Sequence, residues 1–375
     1  MTERRPAEVF HPGEHLSDEL EARGWTQVEF AEILGRSSRL VNEIINGKRG
    51  ISPETARALS AALGTSAKFW MNLDTAYQLW KSSEDVSPIE LRAKMRDKYP
   101  VRDMTLRGWL RPSEDSRVVE SQLLRFFEVD SLDEHPKLAF AARRSNTEDD
   151  GLTPIQLAWV YRVKQLAEVM QVPKYSKRQL KASIGALKER RAVPELVRNV
   201  PTLLEDCGVR LVIVEPFPSS KIDGVCLWLE DSPVIGLSLR FDRIDNFWFV
   251  LRHEIEHVLN DDGKKTPIVD SGMFEGLNDI DLSDAERDAN SAAAEFCVSQ
   301  DELDDFIARK DPYFSRKEVL SFAKRLGVDP GLVVGQLQWK TKRFDLFRAQ
   351  LVPIRDQITS VAMTDGYGNA IPVEI

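Results

Sequence analysis

Apolar residues recur at helical spacing through most of the chain, and the exceptions fall in one short window. In "TQVEFAEILG", Thr26 stands at a helix start with Glu29 in capping-box position, Phe30, Ile33 and Leu34 form the apolar face, and Gly35 stops the run. After that glycine, "RSSRLVNEIINGKRG" predicts a second helix, capped by Ser37, with Leu40, Val41, Ile44 and Ile45 as its inward stripe and Asn46-Gly47 as its end. A third pattern, "SPETARALSAALG", has Ser52 as cap, Pro53 at the first helical position and Gly64 beyond the end. From about residue 84 to 200, runs such as "SRVVESQLLRFFEV" and "PIQLAWVYRVKQLAEVM" keep helical spacing without a legible chemical motif, and core packing explains them.

The period changes beyond Pro201. "VRLVIVE", "GVCLWLE" and "PVIGLSL" are short β-rich runs separated by Pro, Gly, Ser and Asp, and they predict a small sheet. Helical spacing returns in "DRIDNFWFVLRHEIEHVLN" and "SDAERDANSAAAEFCV", then in two helices within "SRKEVLSFAKRLGVDPGLVVGQLQ". "TDGYGNAI" has hairpin-turn chemistry. The expected fold class is α+β, mostly helical.

At 375 residues the chain exceeds what one core usually serves, so more than one domain is expected. No apolar run approaches the length that spans a bilayer, and the first residues lack the apolar stretch of a secretory signal, so the expected location is the cytoplasm. Cys207, Cys226 and Cys297 are far apart and form no C-x-x-C pattern, which leaves nitrogen and oxygen to hold any metal. The net charge of −9 argues against indiscriminate nucleic-acid binding. Local charge is another matter: residues 36–49 carry four basic side chains and one acidic, a local +3. The basic run from Lys174 to Arg191 reads better as a solvated face than as a nucleic-acid patch.

Of five histidines, His253 and His257 lie four apart in "RHEIEHVLN". On a helix that spacing puts both imidazoles on one face, able to address one zinc ion. The stretch satisfies H-E-x-x-H, with Glu254 as general base for a metal-activated water, and also the inverted H-x-x-E-H, with Glu256 in that role. The apolar side of the helix, Phe247, Leu251, Ile255, Val258 and Leu259, lies nearer Glu254. That favours Glu254 as the fixed base and turns Glu256 toward solvent. For the third ligand Glu286 is preferred, because Ala289, Asn290, Ala293 and Cys297 share its face and allow close helix approach. Asp261, Asp262, Asp270 and Glu275 remain rivals, and Glu295 points away.

"LSLRFDRIDNFWFVLRHEIEHVLNDDGKK", followed by "IVD" and "ERDAN", closely resembles the ImmA/IrrE metallopeptidases over roughly residues 200–340. The resemblance implies zinc held by His253, His257 and Glu286, catalysis by Glu254 and cleavage of repressors. Glu256 replaces the glycine that family usually has before its second histidine, and "FCVSQDEL" lacks its hydrophobic-proline ending.

Residues 26–47 place two short helices around "GRSS", the spacing of a helix-turn-helix. "HPGEHLSDELEARGWTQVEFAEILG" and the run from Asn46 to Trp80 resemble HigA-type antitoxins of the XRE group. By that match Ser38, Arg39 and Asn42 read bases and Lys48 and Arg49 meet the backbone, with Ser37 exposed beside them. Glu43 is unusual at a position that is often basic. Such regulators bind paired half-sites as dimers.

The domains expected are therefore a helix-turn-helix domain at 10–83, a helical connection at 84–200, a zincin-like metallopeptidase domain at 201–345 and an extension at 346–375. The function expected is an antitoxin-type repressor, a homodimer on operator DNA, with a zinc-dependent endopeptidase that cuts a repressor, a toxin or the chain itself. The alternative is a repressor whose metallopeptidase-like domain grips a toxin or senses a ligand without cutting. A free-standing metabolic hydrolase is disfavoured by the N-terminal domain.

Overall fold

The computed structural model describes residues 9–81, 87–138, 143–144, 151–273 and 282–373. The chain divides into two compact units, Met1–Ile89 and Glu90–Ile375.

The first unit is all helical: α1 (Pro12–Arg23), α2 (Gln27–Leu34), α3 (Ser38–Ile45), α4 (Pro53–Leu63) and α5 (Ala67–Lys81). Its helix starts follow from side chains that satisfy otherwise orphaned amides. Thr26 accepts from Glu29 N while Glu29 reaches back to Thr26 N at 2.8 Å, and Ser37 and Ser52 cap α3 and α4. His11 caps α1 through Nδ1, 2.8 Å from Gly13 N, which gives that histidine a structural task. Leu16, Leu20, Phe30, Val41, Ile44, Leu59 and Trp70 form the core. Phe30 is buried as expected on the inner face of α2, but Ile33 is half exposed and Ala31 is buried in its place. An eight-residue helix has room for few inward positions, and here Phe30 and Ala31 occupy them.

The second unit is built on a six-stranded mixed sheet, order β1-β5-β3-β4-β2-β6. Three strands, β2 (Arg210–Val214), β3 (Ile222–Leu229) and β4 (Ser232–Leu237), fall in the β-rich runs seen in sequence. The other three, β1 (Arg143–Arg144), β5 (Ile268–Ser271) and β6 (Met363–Asp365), are too short to show a period. The strand β3 runs antiparallel to β4 and β5, whereas β2 is parallel to β4 and β6. The "TDGYGNAI" segment does turn tightly, with Gly366 and Asn369 exchanging backbone hydrogen bonds. Its leading strand, however, joins β2 in parallel, so the turn closes no regular hairpin.

Helices cover both faces of this sheet. Val212, Val214, Val225, Leu227, Val234 and Val269 pack with Leu157, Trp159, Val160 and Val163 of the helix Pro154–Glu168 and with residues of the 95–132 segment. On the opposite face, Leu211, Ile213, Cys226, Ile235 and Leu237 pack with the histidine helix Ile244–Leu259 and its neighbours. Alternation along the strands sends successive side chains into the two cores, so nearly continuous apolar runs are required. Described residues within 95–132 and 157–170 thus supply one of the two layers, and β6 adds an edge from beyond residue 345. Asp365 at its end is buried, pairs with Arg162 and accepts from Trp109 Nε1 at 3.0 Å, while Arg162 also donates to the Ile371 carbonyl at 2.5 Å. The chain is α+β and mostly helical, as the periodicity indicates.

Candidate metal centre and nucleic-acid interface

The histidine helix lies between the sheet and the helix Asp284–Cys297, and almost all of its residues are buried. His253 and His257 are fully buried, with their Nε2 atoms 3.0 Å apart. Glu286 reaches both: Oε2 lies 3.3 Å from His253 Nε2 and Oε1 3.4 Å from His257 Nε2. Ser283 caps the glutamate's helix, and buried Ala289, Ala293 and Cys297 keep its approach close. Glu295 is exposed on the other side.

Asp270, on β5, is fully buried and places Oδ2 3.2 Å from His253 Nε2. One ligand atom from each of His253, His257, Asp270 and Glu286 lies within 4.8 Å of the others. Of the remaining rivals, Asp261 is taken by Lys177 and Lys264. Asp262 Oδ2 stands 3.1 Å from His257 Nδ1, where it can orient the ring from behind. Glu275 lies outside the described residues. Asp262 was signalled by its position at the end of the histidine helix, five residues after His257, but only the turn geometry brings it back to the ring.

Glu254 and Glu256 take opposite environments. Glu256 pairs with Arg252 at 2.6 Å and keeps some solvent contact. Glu254 is fully buried, neither carboxylate oxygen has a hydrogen-bond partner, and Oε1 faces Gly224 of β3 so closely that a Cβ there would lie 2.0 Å away. Gly224 sits where β3 shifts register against β5, and its partner across that ladder is Asp270. The irregularity brings the glycine's open space and the Asp270 carboxylate to the same end of the site.

Two imidazole nitrogens facing each other, with the Asp270 and Glu286 carboxylates 3.2–3.4 Å from them, form a cluster that needs positive charge. Without an ion, protons supply it. Burial alone would depress the His253 pKa, but Asp270 and Glu286 outweigh it and push it up to about 10. Burial likewise opposes charge on Asp270, and His253 and His257 hold it ionised, below its ordinary range. Burial, then the Asp270 charge, pushes Glu254 and Glu286 up. The same atoms suit a divalent cation: tetrahedral bonds of about 2.0–2.1 Å separate neighbouring ligand atoms by about 3.3 Å. The separations among His253, His257 and Glu286, and between His253 and Asp270, run from 3.0 to 3.4 Å. A cleft of about 630 Å³ opens beside the cluster, with Asp270 and Glu286 in its wall and Phe241, Phe249, Trp339 and Phe344 around it.

In the first unit, Ser37, Ser38, Arg39, Asn42, Lys48 and Arg49 are all exposed on or beside α3. Ser37 serves as the cap, and Asn42 Nδ2 donates to Gln27 Oε1 at 3.1 Å. Glu43 accepts from Arg39 Nε and Arg49 Nε, both at 2.8 Å. The two arginines are thereby drawn together around one carboxylate.

The helix-turn-helix family matches residues 16–70, and the family described as the IrrE N-terminal-like domain matches residues 205–337. Virulence-associated protein I of Dichelobacter nodosus is 37% identical over 84 residues, 22% of this chain and 78% of its own length. Antitoxin HigA-1 of Vibrio cholerae is 41% identical over 80 residues, 21% of this chain and 72% of its own. The chain belongs to the HigA-type helix-turn-helix proteins and carries an IrrE-like peptidase domain. Among solved structures, Pseudomonas aeruginosa antitoxin HigA with its higBA promoter is 39% identical to this HigA-type chain, over 20% of it and 83% of that protein, with a TM-score of 0.20. Among the described residues of the HigA-type chain, no helix is long and apolar enough to cross a membrane.

Proposed function

We propose that this chain is an antitoxin-type transcriptional regulator that docks on operator DNA as a homodimer and carries a zinc-dependent endopeptidase. The observation that carries the enzymatic half is the convergence of His253 Nε2, His257 Nε2 and Glu286 around one point, with Glu254 buried alongside. His253, His257 and Glu286 would hold the ion, and Asp262 would keep the His257 ring in register through Nδ1. Zinc, when bound, supplies a Lewis acid that activates water and polarises a carbonyl. Glu254 takes the proton from the attacking water and returns it to the departing amine. Its carboxylate is suited to that exchange because it is fully buried beside the ligands, against Gly224 of β3, and because burial and Asp270 raise its proton affinity. The aromatic cleft beside the ligands suits a peptide with bulky apolar side chains. For the regulatory half, Ser38, Arg39 and Asn42 would read base edges and Ser37, Lys48 and Arg49 would meet phosphates. The HigA-type relatives, one of them solved with its promoter, support that reading.

The experiment uses the untagged full chain. Zinc content by elemental analysis is expected at one equivalent per chain, and incubation with the products of neighbouring genes is expected to yield a cleavage band. Glu254→Gln should abolish the band while retaining zinc and the shift of DNA from its own upstream region. An unchanged band in Glu254→Gln would refute the assignment of the base, and absence of zinc would refute the metal site. The binding-only alternative, a repressor that grips a toxin without cutting, is favoured by one observation, the presence of Asp270 as a fourth ligand candidate.

A further inference from the structure

We propose that Asp270 is a fourth protein ligand, one that closes the coordination sphere and holds the peptidase latent until something in the cleft draws it away. The inference rests on the zinc-peptidase reading and specifies how that site is regulated. Hydrolytic zinc sites keep three protein ligands and leave the fourth position open, whereas sites with four protein ligands are structural and inert. Here the count reaches four. Asp270 Oδ2 is as near to His253 Nε2, 3.2 Å, as the Glu286 oxygen at 3.3 Å. The Asp270 side chain is fully buried, and its carboxylate faces His253 Nε2 rather than a backbone amide. A buried carboxylate in that condition is costly unless a cation receives it.

Access points the same way. His253 and His257 are fully buried and contribute nothing to the wall of the 630 Å³ cleft, whereas Asp270 and Glu286 do. The cleft therefore borders the Asp270 and Glu286 carboxylates and not the imidazoles. Asp270 also stands on β5 across from Gly224, the residue that makes room for Glu254. Rotation of the Asp270 side chain off the ion would open a position next to the proton-accepting carboxylate without moving a helix. A single rotamer change then separates the closed state from the competent one, and a peptide occupying the cleft is the ligand class that selects the second.

The test replaces zinc by cobalt(II) in the full chain and follows its visible absorption while acetohydroxamate, a chelating probe that needs an open position, is titrated. The wild-type spectrum is expected to stay unchanged at concentrations that saturate Asp270→Ala. Asp270→Asn, which preserves the shape of the side chain, is expected to bind the probe about tenfold or more tighter than wild type. If wild type takes up cobalt and binds acetohydroxamate as tightly as either variant, Asp270 is no ligand and the zinc-peptidase reading stands without it. If wild type takes up no cobalt or zinc, the underlying reading falls and this inference with it. Because the wild-type titration alone can overturn the proposal, a variant that fails to fold does not rescue it.

Discussion

Adding one methyl group at Gly224 is expected to disable Glu254 without touching any metal ligand. An alanine Cβ there would lie 2.0 Å from Glu254 Oε1, 2.9 Å from its Cδ and 3.1 Å from Val250 Cγ1. To restore ordinary contact, the carboxylate oxygen would have to retreat by about 1.4 Å. The side chain is fully buried, so the retreat distorts the packing between the histidine helix and β3. Overpacking of this kind costs about 1–3 kcal/mol, offset by about 0.4–1 kcal/mol from the less flexible unfolded chain. Gly224→Ala is therefore expected to be destabilised by about 1–2 kcal/mol and to lose about 10²-fold in cleavage rate, since a misplacement of about 1 Å has that effect. Gly185→Ala is the control: it sits in the helix Lys177–Arg190 with nothing within 4 Å of an added Cβ, and should gain about 0.5–1 kcal/mol. Urea unfolding of the full chain measures both, and zinc content should match wild type in both. Repeating Gly224→Ala in a Glu254→Ala background isolates the contact, and most of the penalty should disappear there. A Gly224→Ala protein as stable and active as Gly185→Ala would refute the placement of Glu254 against β3.

Metal affinity should rise with pH. His253, pushed up to about 10 mainly by Asp270 against the effect of burial, must lose a proton when an ion binds near pH 7, so affinity should gain up to about tenfold per pH unit. Titration calorimetry in buffers of different ionisation enthalpy would reveal the proton, and its absence would refute the coupling. For the metal-free fold the sign reverses: stability from the raised pKa is complete below the ordinary 6.5 and is lost as pH climbs toward 10. Arg162→Met should cost about 3–5 kcal/mol by leaving Asp365 charged and buried without its partner, and adding Asp365→Asn should recover part of it. A loss below about 1 kcal/mol in urea unfolding would refute the pairing. Glu43→Gln should free Arg39 and Arg49, tighten binding to DNA of any sequence and steepen its salt dependence by about 0.9 in slope per added phosphate contact. Fluorescence anisotropy at several salt concentrations measures this, and an unchanged slope counts against Glu43 as a restraint.

Local rules made much of the first unit legible. Thr26, Ser37 and Ser52 announce their helices because capping is settled within four residues, and Gly35 and Gly64 mark ends for the same reason. Ile33 shows the limit, since apolar character does not say which of several neighbours turns inward. In the second unit β2, β3 and β4 were visible as apolar runs, while β1, β5 and β6 hold only two to four residues each. Their pairing depends on partners far along the chain. Asp270 belongs to that hidden class: it could be named as a rival to Glu286, but its convergence with the histidines depends on the β5–β3 ladder. Glu286 was accessible because small residues on its own helix face are a local signal. The paired role of the 95–170 helices was invisible, because nothing in a helical period reveals which face of which sheet it will cover.

The two-sided sheet limits how this protein can be recombined. Residues 205–337, the span that matches the IrrE-like family, include strands with apolar side chains on both faces but not the helix Pro154–Glu168 that shields one of them. Spliced into a foreign chain, that span would bring along a naked apolar wall of Val212, Val225 and Val234. It would clump unless its host brought a replacement cover.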